Sequence, residues 1–203
     1  MNKMLTKELL KRFQIGSLKH MTHINNLDSI FKYGLLSHNN PYKKRDISNR
    51  VVNNRRDKYD AIFYHNVHDY VPFYFNPRNA MMWKNKNEDI VVLAFSNKLL
   101  NFGKTIITDR NAATNGVRFF YDVNDLQQIN WNLVWSKRWN HLPEIVKQTM
   151  MAEVLVYNKV DIQHLLGIYV KNHTQKNYIM QRYALKESQI MIKPKMFFNY
   201  KGV

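Results

Sequence analysis

Apolar residues first recur at helical spacing over residues 4–13, where Leu5, Leu9, Leu10 and Phe13 fall on one stripe. Leu18 to His23 then alternates apolar and polar positions, the period of a short strand. Asn26-Leu27-Asp28-Ser29 opens a second helix: Asn or Asp can cap it, Leu27, Ile30 and Phe31 share a face, and Gly34 suits its stop. Residues 38–60 break the pattern with almost no apolar periodicity. Strand signals dominate afterwards. Asp69 to Phe75 is aromatic and β-rich, and Pro72 in it predicts an edge or a strand start. A turn at 76–79 leads to a helix beginning at Ala80. Ile90 to Phe95, Thr105 to Thr108, Phe119 to Tyr121, Ala152 to Tyr157, Ile162 to Val170 and Gln189 to Ile192 read as strands, with a helix at 143–151 started by Pro143. Short strands and few helices, without βαβ alternation, predict an α+β fold with a mostly antiparallel sheet.

A length of 203 residues fits one domain, and 45% hydrophobic residues suffice for a core. The absence of Cys removes disulfides, thiolate catalysis and Cys-ligated zinc. Against 15 acids stand 31 Lys and Arg, a net charge of +16 that points to a polyanionic partner. Positions 43–58 concentrate it: Lys43, Lys44, Arg45, Arg50, Arg55, Arg56 and Lys58 face only Asp46 and Asp57. The longest apolar run, Ile90 to Phe95, is far short of the ~20 residues of a membrane span. The charged N-terminus lacks a signal peptide's hydrophobic stretch. A cytosolic protein is expected, with no membrane partner. Without a heptad or self-complementary patch, it is expected to be a monomer.

Three places could carry chemistry. Glu153 stands inside the apolar strand AEVLVY, sharing a face with Leu155 and Tyr157. A buried carboxylate is costly unless paired, so Glu153 is either a site residue or an edge-strand acid matched by a cation. His20 and Thr22 face the same way on their strand and can bind a hydroxyl or an amide. The alternative is two ordinary half-exposed histidines, His20 and His23, beside a helix cap. Their spacing fits no zinc motif, and no metal is expected. Tyr70, Phe73, Tyr74 and Phe75, with Arg78 beside them, are either core or exposed rings for stacking on single-stranded nucleic acid.

Taken in order, His20-Met-Thr-His-Ile-Asn-Asn-Leu27, Gly34-Leu-Leu36, Asp69-Tyr-Val-Pro-Phe-Tyr-Phe-Asn-Pro-Arg78, Thr108-Asp-Arg110, Arg118-Phe-Phe120 and Ala152-Glu-Val-Leu-Val156 resemble the DarT family of DNA ADP-ribosyltransferase toxins. The resemblance covers about residues 18–170. It implies the ADP-ribosyltransferase fold, similar to poly(ADP-ribose) polymerases, with a split, mostly antiparallel sheet around a cleft for NAD. It also implies transfer of ADP-ribose from NAD to a base of single-stranded DNA with release of nicotinamide, and a macrodomain antitoxin as partner.

By the same resemblance Glu153 and Arg56 match catalytic positions. His20, Met21, Thr22, Ser29, Leu36 and Arg56 match cofactor-binding positions, with Ser29 in place of an expected Gly. Met81, Arg78, Asn111 and Tyr74 fall on the DNA side. Residues 1–16 form an N-terminal helical extension of a single domain spanning 1–203. Residues 40–58 correspond to the NAD-binding element and 111–153 to the loop shaping the substrate side. A guanidinium keeps its proton in proteins, so Arg56 is expected to position phosphate or base by charge. Where thymidine-modifying relatives can carry His after Asp-Arg, this chain has Asn111, which cannot titrate, so thymidine and guanosine both stay open. Two further readings also stay open: an RNA acceptor, and a non-catalytic single-strand-binding protein.

Overall fold

The computed structural model describes residues 3–40, 65–137 and 142–198. From residue 41 onward the expected NAD-binding element lies outside the described residues, and Arg55 and Arg56 with it. So do residues 138–141 of the expected substrate-side loop.

Helix α1 (Lys3–Arg12) ends on Lys11 and Arg12, where the helix dipole favours cations. Its apolar stripe runs on to Phe13, which stacks on Trp131 at a centroid distance of 5.0 Å, while Trp135 Nε1 donates to the Phe13 carbonyl at 3.0 Å. Strand β1 (Ser17–His23) leads through a 3₁₀ turn into α2 (Leu27–Tyr33), whose C-cap Gly34 adopts φ +84°. A side chain on Gly34 would meet Lys159 Cε at 2.6 Å and the Val160 carbonyl at 2.8 Å, so the position needs glycine for both space and backbone. There β2 (Leu35–Leu36) pairs with β8 (Lys159–Val160). The remaining strands are β3 (Tyr70–Tyr74), β4 (Ile90–Ser96), β5 (Ile106–Thr108), β6 (Phe119–Phe120), β7 (Glu153–Tyr157), β9 (Leu165–Val170) and β10 (Ile190–Ile192). Helices α3 (Ala80–Lys84), α4 (Trp131–Val134), α5 (Glu144–Thr149) and α6 (His173–Arg182) lie between them. The sequence pattern misses α6, which buries only Gln175 and Ile179 and carries no apolar stripe; the Asn172 side chain starts it by capping Gln175 N–H.

Among the described residues, eight strands form one sheet in the order β10-β9-β4-β1-β3-β7-β5-β6. Every neighbouring pair is antiparallel except β9–β10, so the fold is the expected α+β with a mostly antiparallel sheet. The pairing is uneven. β1 matches β4 from Ser17↔Ser96 to His23↔Ile90, and β3 matches β7 from Tyr70↔Tyr157 to Tyr74↔Glu153. Between β1 and β3 there is a single rung, Lys19↔Tyr74.

The reason lies in backbone parity. In an antiparallel strand, the N–H and C=O of one residue point to the same neighbour, and successive residues alternate. The Ile24 N–H donates to the Asp89 carbonyl on the β4 side at 2.8 Å, so Met21 and Lys19 turn their backbone toward β3. The Asn158 N–H donates to the Asp69 carbonyl at 2.7 Å, and the Phe75 N–H to the Ala152 carbonyl at 3.5 Å, so Pro72 and Tyr74 turn theirs toward β1. The rung after Lys19–Tyr74 would join Met21 to Pro72. Proline has no N–H to give, and its carbonyl is taken by His20 Nδ1 at 2.8 Å. The sheet opens there. The expectation of an edge at Pro72 is corrected accordingly: β3 is an interior strand, and its open side is the internal gap.

Leu18, Phe73, Phe95, Val154 and Val156 lie in the main core on one face. Met21, Tyr74, Ile90 and Val92 pack with Phe197 and Phe198 on the other. A lone rung is worth about 0.5–1.5 kcal/mol, whereas each buried large apolar side chain is worth about 1.5–3 kcal/mol. The core therefore holds the two half-sheets together. The exposed rings considered for stacking are not exposed: Tyr70, Phe73, Tyr74 and Phe75 retain 1%, 0%, 4% and 0% of their surface. Aromatic strands bury the largest apolar area per residue, and here that term wins.

Candidate active site at the opening of the sheet

Glu153 begins β7 and is completely buried, on the face shared by Leu155 and Tyr157. Of the five Glu in the chain it alone is buried; Glu8, Glu88, Glu144 and Glu187 are exposed. Taking a carboxylate out of water costs several kcal/mol unless hydrogen bonds replace the lost hydration. The Ala112 N–H donates to Glu153 Oε1 at 2.7 Å, a short charge-assisted bond. Thr108 fixes the backbone beneath: its Oγ1 accepts from the Glu153 N–H at 3.1 Å and lies 3.3 Å from the Glu153 carbonyl.

The loop that delivers Ala112 is itself tied down. Asp109, buried at the end of β5, accepts from the Arg118 N–H and Nε, both at 3.0 Å, and from Arg110 Nε and a terminal guanidinium nitrogen, both at 3.2 Å. Burial works against the Asp109 charge, but the Arg118 amide and the two guanidiniums outweigh it and hold the carboxyl below its ordinary value. Asn111 is buried; its Oδ1 accepts from the Ala113 N–H at 2.8 Å, and its own N–H donates to the Gln148 carbonyl at 3.1 Å. The side chain matched to the DNA side thus also shapes the turn presenting Ala112. Sequence reasoning named Asp109 only as part of the Thr108-Asp-Arg110 motif, without a role, and did not single out Ala112. The available signal was an acid flanked by two arginines across a short polar turn.

On the other half-sheet, His20 is half-buried at the opening. A carbonyl only accepts, so its bond to Pro72 puts a proton on Nδ1 and leaves Nε2 as the acceptor of the neutral ring. Thr22, buried on the same face of β1, accepts at Oγ1 from Asn26 Nδ2 at 3.0 Å. Asn26 stands at the N-cap of α2, yet this bond goes to Thr22 rather than to the helix amides. His23 is not half-exposed as considered: it is buried, and its Nδ1 accepts from the Asn25 N–H at 3.2 Å. Met21 packs its side chain in the second core and turns its backbone edge to the opening. Ser29 is buried in α2, and Leu36 is half-buried in β2. α2 is anchored through Asp28, which accepts from Arg182 at 3.0 and 2.7 Å and from the Tyr183 hydroxyl at 2.8 Å.

Directly opposed residues share a face, so Lys19, Tyr74 and Glu153 form one row across three strands, and His20 and Thr22 project from the reverse face. The structure thus groups His20 with Thr22 on one face of the sheet, and Lys19 with Tyr74 and Glu153 on the other. Burial pushes the Lys19 ammonium down to about 8. The Tyr74 hydroxyl donates to Met81 Sδ at 3.3 Å, which places the start of α3 beside the acid's row. Arg78 lies over the Phe198 ring at 4.4 Å and donates to the Lys137 carbonyl at 3.3 Å; its Nε is buried without a partner among the described residues. Among the described residues no group of three His, Asp or Glu side chains could hold a metal. The arrangement offers one fixed, dry carboxylate one strand away from the opening, in the row of the single rung that joins β1 to β3. Such a carboxylate can stabilise a cation that develops in front of it.

Residues 19–198 match the model of a family described as ssDNA thymidine ADP-ribosyltransferase, DarT. A DNA ADP-ribosyl transferase of Thermus sp. (strain 2.9) is 33% identical over 153 residues, covering 68% of this chain and 73% of that protein. A DNA ADP-ribosyl transferase–DNA ADP-ribosyl glycohydrolase fusion protein of Thermosipho africanus is 26% identical over 193 residues, 89% of this chain but 49% of the fusion. The structure of Thermus sp. 2.9 DarT in complex with ADP-ribosylated ssDNA superposes with a TM-score of 0.81 at 25% identity, over 91% of this chain and 97% of that one. The same protein in complex with NAD+ superposes with a TM-score of 0.76, over 91% and 98%. A sheet joined at its middle by one rung, a buried acid in the row of that rung and a family match over nearly the whole chain converge, and the chain belongs to the DarT family of single-stranded-DNA thymidine ADP-ribosyltransferases.

Proposed function

We propose that this chain transfers the ADP-ribosyl group of NAD to thymidine in single-stranded DNA, with Glu153 as the catalytic carboxylate. The observation that carries the assignment is the complete burial of Glu153 on the Ala112 N–H, in the row of the single rung that joins the two half-sheets. In the reaction the bond from the nicotinamide nitrogen to ribose C1′ breaks, and its electron pair leaves with nicotinamide. A base nitrogen then bonds to C1′ and gives up its proton to solvent water. Positive charge grows on the ribose in between, and a preorganised carboxylate stabilises it, as in glycoside hydrolysis. Glu153 also accepts a hydrogen bond from the ribose 2′-hydroxyl.

The other side chains bind and orient. His20 Nε2 and the Thr22 hydroxyl serve a ribose hydroxyl and the carboxamide, with the Met21 backbone edge beside them; Ser29 and Leu36 line the same side. Arg56, in the element at 40–58, holds phosphate or base by charge. Met81, Tyr74 and Asn111 stand on the DNA side together with residues 111–153. Arg78, whose Nε has no partner among the described residues, suits a DNA phosphate. Tyr74 acts there through its hydroxyl and Met81, since its ring is in the core. The Thermosipho fusion joins the transferase to a DNA ADP-ribosyl glycohydrolase, which supports a separate macrodomain partner that reverses the modification.

The test is mass spectrometry of thymidine-containing and guanosine-only oligonucleotides, as DNA and as RNA, incubated with protein and NAD. A gain of one ADP-ribose on thymidine in single-stranded DNA is expected. A gain confined to RNA or to guanosine would replace the acceptor, and no gain with undiminished NAD would remove the reaction.

A further inference from the structure

We propose that Asp109 is a positioning residue, acting on the reaction through the carboxylate of Glu153. The inference rests on Glu153 being the carboxylate that meets the ribose. The chain of contacts is short. Asp109 closes the loop between β5 and β6 by binding residues on both sides of it: the Arg118 amide and guanidinium at one end and the Arg110 guanidinium at the other. Arg118 extends the clamp by donating to the Gln128 carbonyl at 3.0 Å. Inside the closed loop, the Asn111 side chain bends the backbone by accepting from Ala113, and the Ala112 N–H between them points at Glu153 Oε1.

Asp109 itself is buried behind the loop and has four guanidinium and amide bonds of its own, so it touches no part of the gap. Its effect reaches the acid through the backbone donor that its loop presents, the Ala112 N–H, and through Thr108 beside it, whose hydroxyl holds the Glu153 backbone. Loop closure by a buried acid with two arginines is a stiff device. Each of its bonds is charge-assisted, and losing the acid would leave two cations without their counter-ion. A displacement of about 1 Å at a reacting group can cost about a hundredfold in rate.

The experiment compares Asp109→Asn, Glu153→Gln and the double variant by nicotinamide release, with folding checked by circular dichroism. Asp109→Asn is expected to lower kcat about tenfold to a hundredfold with the KM for NAD changed less than about twofold. In the Glu153→Gln background the same change is expected to leave the residual rate where it is, because no carboxylate remains to be placed. The Ala112 amide proton, followed by NMR, is expected downfield in the native protein and shifted upfield in both single variants. Equal losses in the two backgrounds, a rise in KM alone, or an unmoved Ala112 resonance would overturn the proposal. Arg118→Gln removes one arm from an accessible residue and covers the case in which Asp109→Asn does not fold: a smaller loss in kcat is expected, and an unchanged kcat would count against the clamp. If Glu153→Gln alone keeps its full rate, it is the reading of Glu153 that fails.

Discussion

The His20 imidazole meets the Pro72 carbonyl at 2.8 Å, across the gap where β1 and β3 part. This contact occupies the acceptor of the missing rung, and proline has already removed the donor. Pro72→Ala restores the N–H opposite Met21. The new rung would contribute about 0.5–1.5 kcal/mol, while losing proline costs about 0.4–1 kcal/mol through the unfolded chain. Overall stability should therefore change little. The diagnostic is elsewhere: the amide at position 72 should be protected from exchange, and the KM for NAD should rise about tenfold, or about 1.4 kcal/mol of lost binding. Unaltered NAD binding together with an unprotected amide would show that proline does not keep the sheet open.

Glu153→Gln keeps the shape and the acceptor for the Ala112 N–H and removes only the charge. Nicotinamide release should fall by at least about a hundredfold to a thousandfold. The melting temperature should hold or rise, because a buried charge is gone. A variant with near-native turnover would exclude the carboxylate from the reaction.

Acid and base should act on stability through different residues. Asp109 is held below its ordinary 3.8 in the folded state, so its contribution is complete above that value and is lost as pH falls through the lower folded pKa. Melting curves from pH 2 to 6 should show an acid limb that Asp109→Asn flattens. Lys19 runs the other way. Its folded pKa of about 8 lies below the ordinary 10.5, so the unfolded chain binds more protons between the two, and Lys19 makes stability rise with pH across that window. Lys19→Met should abolish this rise, and a persisting rise would assign it to another group.

Gly34→Ala should destabilise by more than about 1 kcal/mol, since its φ of +84° and the 2.6 Å approach of Lys159 Cε both oppose a Cβ. Denaturant titration reads this directly, and a loss below a few tenths would mean that β2 and β8 part easily.

Much of the fold was legible because it rests on local pattern. The strands around Leu18, Ile90 and Ala152 and the helix stop at Gly34 follow from period and turn chemistry, and the observed elements fall within a few residues of them. α6 was not legible, since its contacts come from polar capping and two buried residues. Glu153 stood out because a carboxylate in an apolar strand is expensive wherever it points. Asp109 did not, because an acid after a short strand looks like any turn residue until Arg118 is brought back beside it. The family resemblance implied a split sheet, but the residues themselves marked the place of the parting only as an odd proline. Its meaning required knowing that β3 lies inside the sheet and that Met21 is the residue it faces.

The joint between the two half-sheets has a mechanical consequence. A continuous ladder resists sliding, because every rung must break together, whereas apolar packing has no preferred direction. Here Lys19–Tyr74 is one pivot above a layer of rings such as Phe73 against Phe95 at 5.3 Å. The two half-sheets are therefore held to one another by side-chain packing rather than by a ladder, and a change at this joint would break one rung and leave both ladders whole.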